Sequence, residues 1–220
     1  MHFKTGIASS TCPLCRSHAI HTFECVQDRQ YIECGACELI HMTPRDLPNA
    51  TTAFARYQSH ENDPKDEAYR RFLDRLAVPL VGRLPPGAEG LDYGSGPGPT
   101  LSIMLEQQGF TMSIYDPFFS PDSQVLDRSY DFVTCTETAE HFFEPGKEFE
   151  KLNGLVRPGG WLAVMTELFR DQVFVDWRYV RDETHVAFYR QRTMQWIAEW
   201  LDWSVSFPGK DVVIFRKPIQ

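Results

Sequence analysis

Residues 91–99 read Leu-Asp-Tyr-Gly-Ser-Gly-Pro-Gly-Pro, and this glycine run limits the fold more than any other stretch of the chain. Gly90–Tyr93 closes an apolar strand pattern, and Thr100–Gln108 has helical spacing with Gly109 as its stop. A glycine loop between a strand and a helix brings backbone N–H groups up to a ligand at the helix N-terminus. The same alternation continues downstream. Strands are expected at Thr111–Tyr115, Asp131–Thr136 and Trp161–Thr166, with a helix at Glu148–Val156 closed by the turn Arg157-Pro158-Gly159-Gly160. Thr193–Leu201 reads as an amphipathic helix. Trp203–Phe207 and Val212–Arg216, joined by Pro208-Gly209-Lys210-Asp211, predict an antiparallel hairpin. Strands alternating with helices in this way call for a mostly parallel α/β sheet. Ahead of it, Phe54, Tyr57, Tyr69, Phe72, Leu73, Leu76 and Leu80 predict two helices broken near Asn62-Asp63-Pro64.

The residues around the loop discriminate between ligands. In a dinucleotide fingerprint the third glycine would fall at Pro99, and Asp92 would set a carboxylate beside a pyrophosphate. Both features count against a nicotinamide cofactor. Coulomb sign favours a cationic ligand, and S-adenosylmethionine carries an ammonium and a sulfonium with no phosphate. Asp116 follows Asp92 by 24 residues, at the end of the second strand, where a carboxylate can accept hydrogen bonds from ribose hydroxyls. The blander alternative is that Asp92 and Asp116 merely cap turns.

The run LDYGSGPG resembles motif I of class I S-adenosylmethionine-dependent methyltransferases, and Tyr115-Asp116 resembles their acidic ribose-binding position. Residues 130–167, YDFVTCTETAEHFFEPGKEFEKLNGLVRPGGWLAVMTE, are similar to the family's fourth-to-fifth-strand unit. The resemblance covers roughly residues 85–220. It implies a three-layer, Rossmann-like, seven-stranded sheet completed by the C-terminal hairpin, with a third strand somewhere near Gln124–Leu126. It also implies that Gly94, Ser95, Gly96 and Gly98 line the methionine end of the cofactor with Asp92 nearby. Asp116 would hold the ribose, and the backbone around Thr136 and Glu137 would face the cofactor. The helices ahead of the sheet can form a lid in similar enzymes, which makes Tyr57 and His60 candidates for cofactor contact. Two packed helices with polar faces are the plainer account of the same segment.

Cys12-Pro-Leu-Cys15 and Cys34-Gly-Ala-Cys37 are two CxxC turns with 18 residues between them. Each turn can present two thiolates to a tetrahedral zinc, and four protein ligands leave no open position, so such a zinc is structural. Cys25 and Cys135 lie outside the pattern and are expected to be buried thiols. The chain thus divides into a zinc-ribbon-like segment at 1–45, a helical lid or linker at 46–84, and an S-adenosylmethionine-binding part at 85–220.

Methyl transfer from a sulfonium needs an aligned nucleophile and, for some acceptors, a base. His141 and His185 follow strand ends and are the candidate bases, although either could equally be a structural histidine. Trp177, Arg178 and Tyr179 lie where the family often contributes substrate contacts, and aromatic walls there would suit a small organic acceptor. Zinc modules also precede the methyltransferase part in enzymes that act on ribosomal RNA and in enzymes that act on sugars. The net charge of −8 repels polyanions. Residues 1–45 balance Lys4, Arg16, Arg29 and Arg45 against Glu24, Asp28, Glu33 and Glu38, which gives no basic patch for RNA. A small-molecule acceptor is therefore the leading expectation, with an RNA methyltransferase and a non-catalytic scaffold as alternatives. No apolar run approaches the roughly 20 residues needed to cross a bilayer. The N-terminus lacks a signal-peptide core, which predicts a cytoplasmic location.

Overall fold

A computed structural model describes residues 11–58, 62–170 and 172–219. The N-terminal segment forms an antiparallel meander of β1 (Ile20–Val26), β2 (Arg29–Cys34) and β3 (Ile40–Met42). Helices α1 (Ala50–Gln58) and α2 (Glu67–Val81) follow. Asp66 caps α2 by accepting from the Ala68 N–H, and the break between the helices falls at the expected Asn62-Asp63-Pro64.

The main sheet contains β4 (Glu89–Tyr93), β5 (Thr111–Tyr115), β6 (Tyr130–Thr136), β7 (Val156–Met165), β9 (Ser204–Ser206) and β10 (Val212–Arg216), in the order β5-β4-β6-β7-β10-β9. The first four are parallel, and the β9–β10 hairpin adds antiparallel to β7. Helices α3 (Thr100–Gln107), α4 (Pro145–Leu155) and α5 (Gln191–Leu201) complete three layers. Alternating side chains feed the two faces. Phe132, Ala163, Met165, Val212 and Ile214 pack with α2 and α3, while Val133, Leu162, Val164, Val213 and Phe215 pack with α4 and α5. The class is the expected α/β fold with a mostly parallel sheet and a terminal antiparallel hairpin.

The expected third strand near Gln124–Leu126 is instead a 3-10 turn, Ser123–Leu126, so the main sheet has six strands among the described residues. Asp122 caps that turn through the Gln124 N–H, and residues 116–129 are too few for a crossover helix, a strand and a return. A second departure concerns the N-terminal segment. Its sheet takes a fourth strand, β8 (Ala187–Phe188), paired antiparallel to β3 through Ile40–Phe188 and His41–Ala187. An Arg190–Glu33 ion pair at 2.8 Å lies beside that junction. Cys135 is fully buried as expected, but Cys25 is exposed, because it lies on edge strand β1 where the register shifts by a bulge. No described helix is long and apolar enough to cross a membrane.

Candidate functional site

The chain leaves β4 for β5 on one side and then crosses back to β6 on the other, so the C-terminal ends of β4 and β6 flank the switch point where open α/β sheets bind ligands. Loops leaving these ends wall a cavity of about 1720 Å³. The glycine loop forms one wall. Gly94 has φ 81° and its N–H donates to the Tyr115 carbonyl at 2.8 Å, while a Cβ there would come within 2.3 Å of Thr138. A Cβ on Gly98 would come within 2.3 Å of the Asn62 carbonyl, so the loop and the chain entering α2 touch backbone to backbone.

Asp92 and Asp116 both border the cavity and both are buried. Asp116 Oδ1 accepts from the N–H groups of Phe118 (2.8 Å) and Phe119 (3.0 Å), and Oδ2 accepts from the Gly96 N–H (3.0 Å). This ties the β5 turn to the glycine loop. Asp92 accepts from Thr134 Oγ1 at 2.7 Å and Ser102 Oγ at 3.2 Å. Burial nonetheless pushes its carboxyl up to about 6, against those two donors. Ser95 and Thr136 line the same wall, and their buried hydroxyls have no protein partner among the described residues. Glu137 adopts φ 49°, and burial together with the nearby Glu140 and Glu167 carboxylates raises it to about 9. His60 lies outside the described residues.

The opposite wall comes from α1, the turn after β6 and residues 178–185. Phe54 packs on Phe118 and Phe119, and Tyr57 meets Phe118 and the His141 ring, at centroid distances of 5.0–6.0 Å. Arg56 pairs with Asp182 at 2.7 Å. Helix α1 therefore bridges the Asp116 side of the cavity to the 178–185 segment. Burial would raise the Asp182 carboxyl, but hydrogen bonds from Thr184 and Arg56, with the nearby His185 ring, together hold it well below the usual carboxylate range.

His141 and His185 are brought together, with ring centroids 4.8 Å apart. The Nδ1 of His141 lies 2.8 Å from the Thr184 carbonyl and that of His185 lies 2.8 Å from the Tyr179 carbonyl. A carbonyl only accepts, so both Nδ1 atoms carry a proton, and in the neutral ring the lone pair is on Nε2. Burial lowers the His185 pKa, which favours the neutral ring. Arg178 and Tyr179 line the cavity. Trp177 does not; it packs against Phe169, Phe174 and Phe188 and donates Nε1–H to Glu167 at 2.8 Å. Sequence reasoning passed over Glu140, Thr138 and Asp182. Glu140 stands next to His141 in the chain, and that adjacency was the available signal.

The four cysteines of the N-terminal segment converge. Cys12 and Cys37 Sγ are 3.6 Å apart, Cys15 and Cys34 Sγ are 3.5 Å apart, and all four lie within 4.8 Å of one another. Sulfurs around a tetrahedral zinc with bonds of about 2.3 Å are ~3.8 Å apart, so the donor set fits that ion. The two turns are alike: Arg16 and Glu38, each just after a second cysteine, adopt φ 61° and 58° and donate back to the carbonyls of Cys12 and Cys34. The first turn sits on the start of α4, where a Cβ on Gly146 would come within 2.6 Å of the Leu14 carbonyl.

Comparison with known proteins agrees with this architecture. No curated protein sequence matches the chain. Among solved structures, an O-methyltransferase family protein from Burkholderia thailandensis is 18% identical with a TM-score of 0.51, covering 80% of this chain and 65% of its own. This chain thus spans about two thirds of that protein's length. The 1,6-didemethyltoxoflavin-N1-methyltransferase of Burkholderia thailandensis, solved with 1,6-didemethyltoxoflavin and S-adenosylhomocysteine, is 15% identical with a TM-score of 0.53, covering 90% and 99%. The PH0226 protein of Pyrococcus horikoshii is 14% identical with a TM-score of 0.50, covering 74% and 98%. At these identities the likeness is one of fold. The profile of a family described as "Methyltransferase domain" matches residues 57–205, well over half of the sequence, and with the glycine loop and paired aspartates in place the chain belongs to the S-adenosylmethionine-dependent methyltransferases.

Proposed function

We propose that this protein transfers a methyl group from S-adenosylmethionine to a small-molecule acceptor. The observation that carries the reading is the single cavity joining the glycine loop, Asp92 and Asp116 on one wall to His141, His185 and Tyr57 on the other. Its volume of about 1720 Å³ exceeds the roughly 300–1,000 Å³ of a one-ligand pocket, leaving room for two molecules. The toxoflavin enzyme named above, a structural neighbour with a small heterocyclic substrate, supports the same reading.

In this reading Gly94, Ser95, Gly96 and Gly98 take the methionine end and Asp116 the ribose hydroxyls. Asp92 supplies negative charge toward the cationic cofactor, and Thr136 and Glu137 border it. Tyr57 closes over the acceptor side. S-adenosylmethionine supplies an electrophilic methyl on a sulfonium, and the displaced thioether leaves neutral. The chain's own tasks are to align the nucleophile, exclude water and take a proton where the nucleophile carries one. The unprotonated Nε2 atoms of His141 and His185 are the basic groups placed for that last task. Cys12, Cys15, Cys34 and Cys37 hold a structural zinc.

Calorimetric titration with S-adenosylmethionine, paired with an Asp116→Ala variant, tests the cofactor half. Micromolar binding that the variant weakens at least tenfold is expected. Absence of binding to folded, zinc-containing protein would sink the reading in favour of a scaffold. Methyl incorporation into RNA rather than into small acceptors would overturn the acceptor half.

A further inference from the structure

Glu140 has no task in the methyl-transfer reading, yet it is the most deeply buried carboxylate bordering the cavity, with none of its surface exposed. Its Oε2 accepts from Thr166 Oγ1 at 3.0 Å, whereas Oε1 has no hydrogen-bond partner among the described residues. A buried carboxylate oxygen left unpaired costs several kcal/mol unless something occupies it. The neighbours identify what fits. Glu140, His141 and His185 each offer a donor atom within 4.8 Å of the others, and in the neutral imidazoles the nitrogen left free to ligate is Nε2, because the Nδ1–H groups are held by the Thr184 and Tyr179 carbonyls. An imidazole whose other nitrogen donates to a carbonyl is the usual arrangement of a metal-ligating histidine.

We propose that Glu140, His141 and His185 form a binding site for a divalent first-row metal ion, separate from the four-cysteine site. Two imidazoles and one carboxylate suit ions such as Mn²⁺, Fe²⁺ or Zn²⁺ rather than Mg²⁺, which prefers oxygen alone. Donors sharing such an ion are about 3–4 Å apart, so the three groups need a closing movement of about an ångström. The surroundings keep them in place. Glu140 is anchored by Thr166 and, through its backbone carbonyl, by the Val186 N–H at 2.8 Å. The Glu167 carboxylate and the Arg56-paired Asp182 border the same cavity. Three protein ligands leave coordination positions open toward the cavity, where an oxygen of the acceptor can bind. In that role, which rests on the methyltransferase reading, the two histidines act as ligands and the ion takes over activation of the acceptor.

The test uses full-length protein with zinc on its cysteines and Mn²⁺ as the probe, because Mn²⁺ does not displace zinc from thiolates. Electron paramagnetic resonance of free Mn²⁺ during titration should show one ion bound per chain. Glu140→Gln, which keeps the size and the Thr166 contact, and His185→Gln should each weaken it at least tenfold. Both variants should bind S-adenosylmethionine within twofold of the parent, which also reports that they are folded. No Mn²⁺ bound at millimolar concentration, or binding unchanged in both variants, overturns the site. Mn²⁺ binding by a parent protein that ignores S-adenosylmethionine would instead count against the methyltransferase reading and leave this site standing.

Discussion

Asp92 is the residue at which charge and burial oppose each other most directly. Its carboxyl is raised from 3.8 to about 6, so the fold holds that proton more tightly than the unfolded chain does. Ionising Asp92 therefore costs stability; the cost is absent below pH 4, grows through pH 6 and is fully felt above it, at about 3 kcal/mol. Asp92→Asn should accordingly raise the melting temperature of ligand-free protein at pH 7.5, since the Ser102 hydroxyl can turn to accept from the amide. A cationic ligand selects the ionised form. Affinity for S-adenosylmethionine in the parent should thus fall by up to about tenfold per pH unit below pH 6. In Asp92→Asn it should be weaker at neutral pH and flat with pH, and a parallel decline in both proteins would show that another group titrates. Gly98 sets a steric limit instead. Its added Cβ would meet the Asn62 carbonyl at 2.3 Å, so Gly98→Ala must push the chain entering α2 away from the loop. At least a tenfold loss of cofactor affinity is expected by calorimetry, with the far-UV spectrum unchanged. The glycines and both aspartates could be picked out from the sequence because their types and spacing carry the chemistry. For Glu140 the sequence offered only its place beside His141, since nothing in the order of residues says that one of its oxygens is sealed away without a partner.

Many elements were readable from periodicity, since the helices and the parallel strands are long enough to display it and some, such as α2 and β4, stop at a glycine. Two were not. The turn Ser123–Leu126 occupies the place of an expected strand because the chain between β5 and β6 is short and Asp122 caps it locally. Strand β8 has two residues, too few for any period, and only its pairing with β3 defines it. Helix α1 was legible as a helix but its attachments were not: Phe54 reaches Phe118 and Phe119, and Arg56 reaches Asp182. These contacts make α1 a cover whose hold is separable from its fold. The Arg56–Asp182 pair is partly exposed, with Arg56 at 44%, and a pair of this kind contributes less than about 1 kcal/mol. Arg56→Ala should therefore leave the melting temperature within a few degrees of the parent. It should raise the acceptor KM several-fold once an acceptor is known, with smaller change in the affinity for cofactor. An equal loss in both would mean that α1 closes over the two ligands as one unit.

For the whole molecule, the question is whether the cysteine-bearing segment is an appendage or part of the frame, because the sequence up to residue 45 reads as a separate piece. Its contacts argue for the frame. Cys12, Leu14, Cys34, Cys37 and Leu39 belong to the same buried cluster as Leu91, Tyr93, Val133 and Phe149 of the main sheet and α4. On its other side, β3 pairs with β8, two residues after His185, and Tyr31, Ile40 and Met42 pack with Phe174, Tyr179 and Phe188. The cysteine turns are thus mechanically connected to the 178–188 segment that carries the acceptor-side histidine. Zinc bound at the four thiolates would be folding free energy for this half of the molecule, since four converging thiolates have too little core of their own to stay together without it. Stripping zinc with a chelator, or replacing Cys34 by serine, should then abolish amide-exchange protection at residues 12–42 and at 178–190 together, while β4, β6 and α3 retain theirs. Loss confined to 12–42 would identify a detachable appendage. Because the glycine loop and Asp116 lie on the retained side, zinc-stripped protein should still bind S-adenosylmethionine within about tenfold of the parent yet fail to turn over, placing the influence of the cysteine site on the acceptor and not on the cofactor.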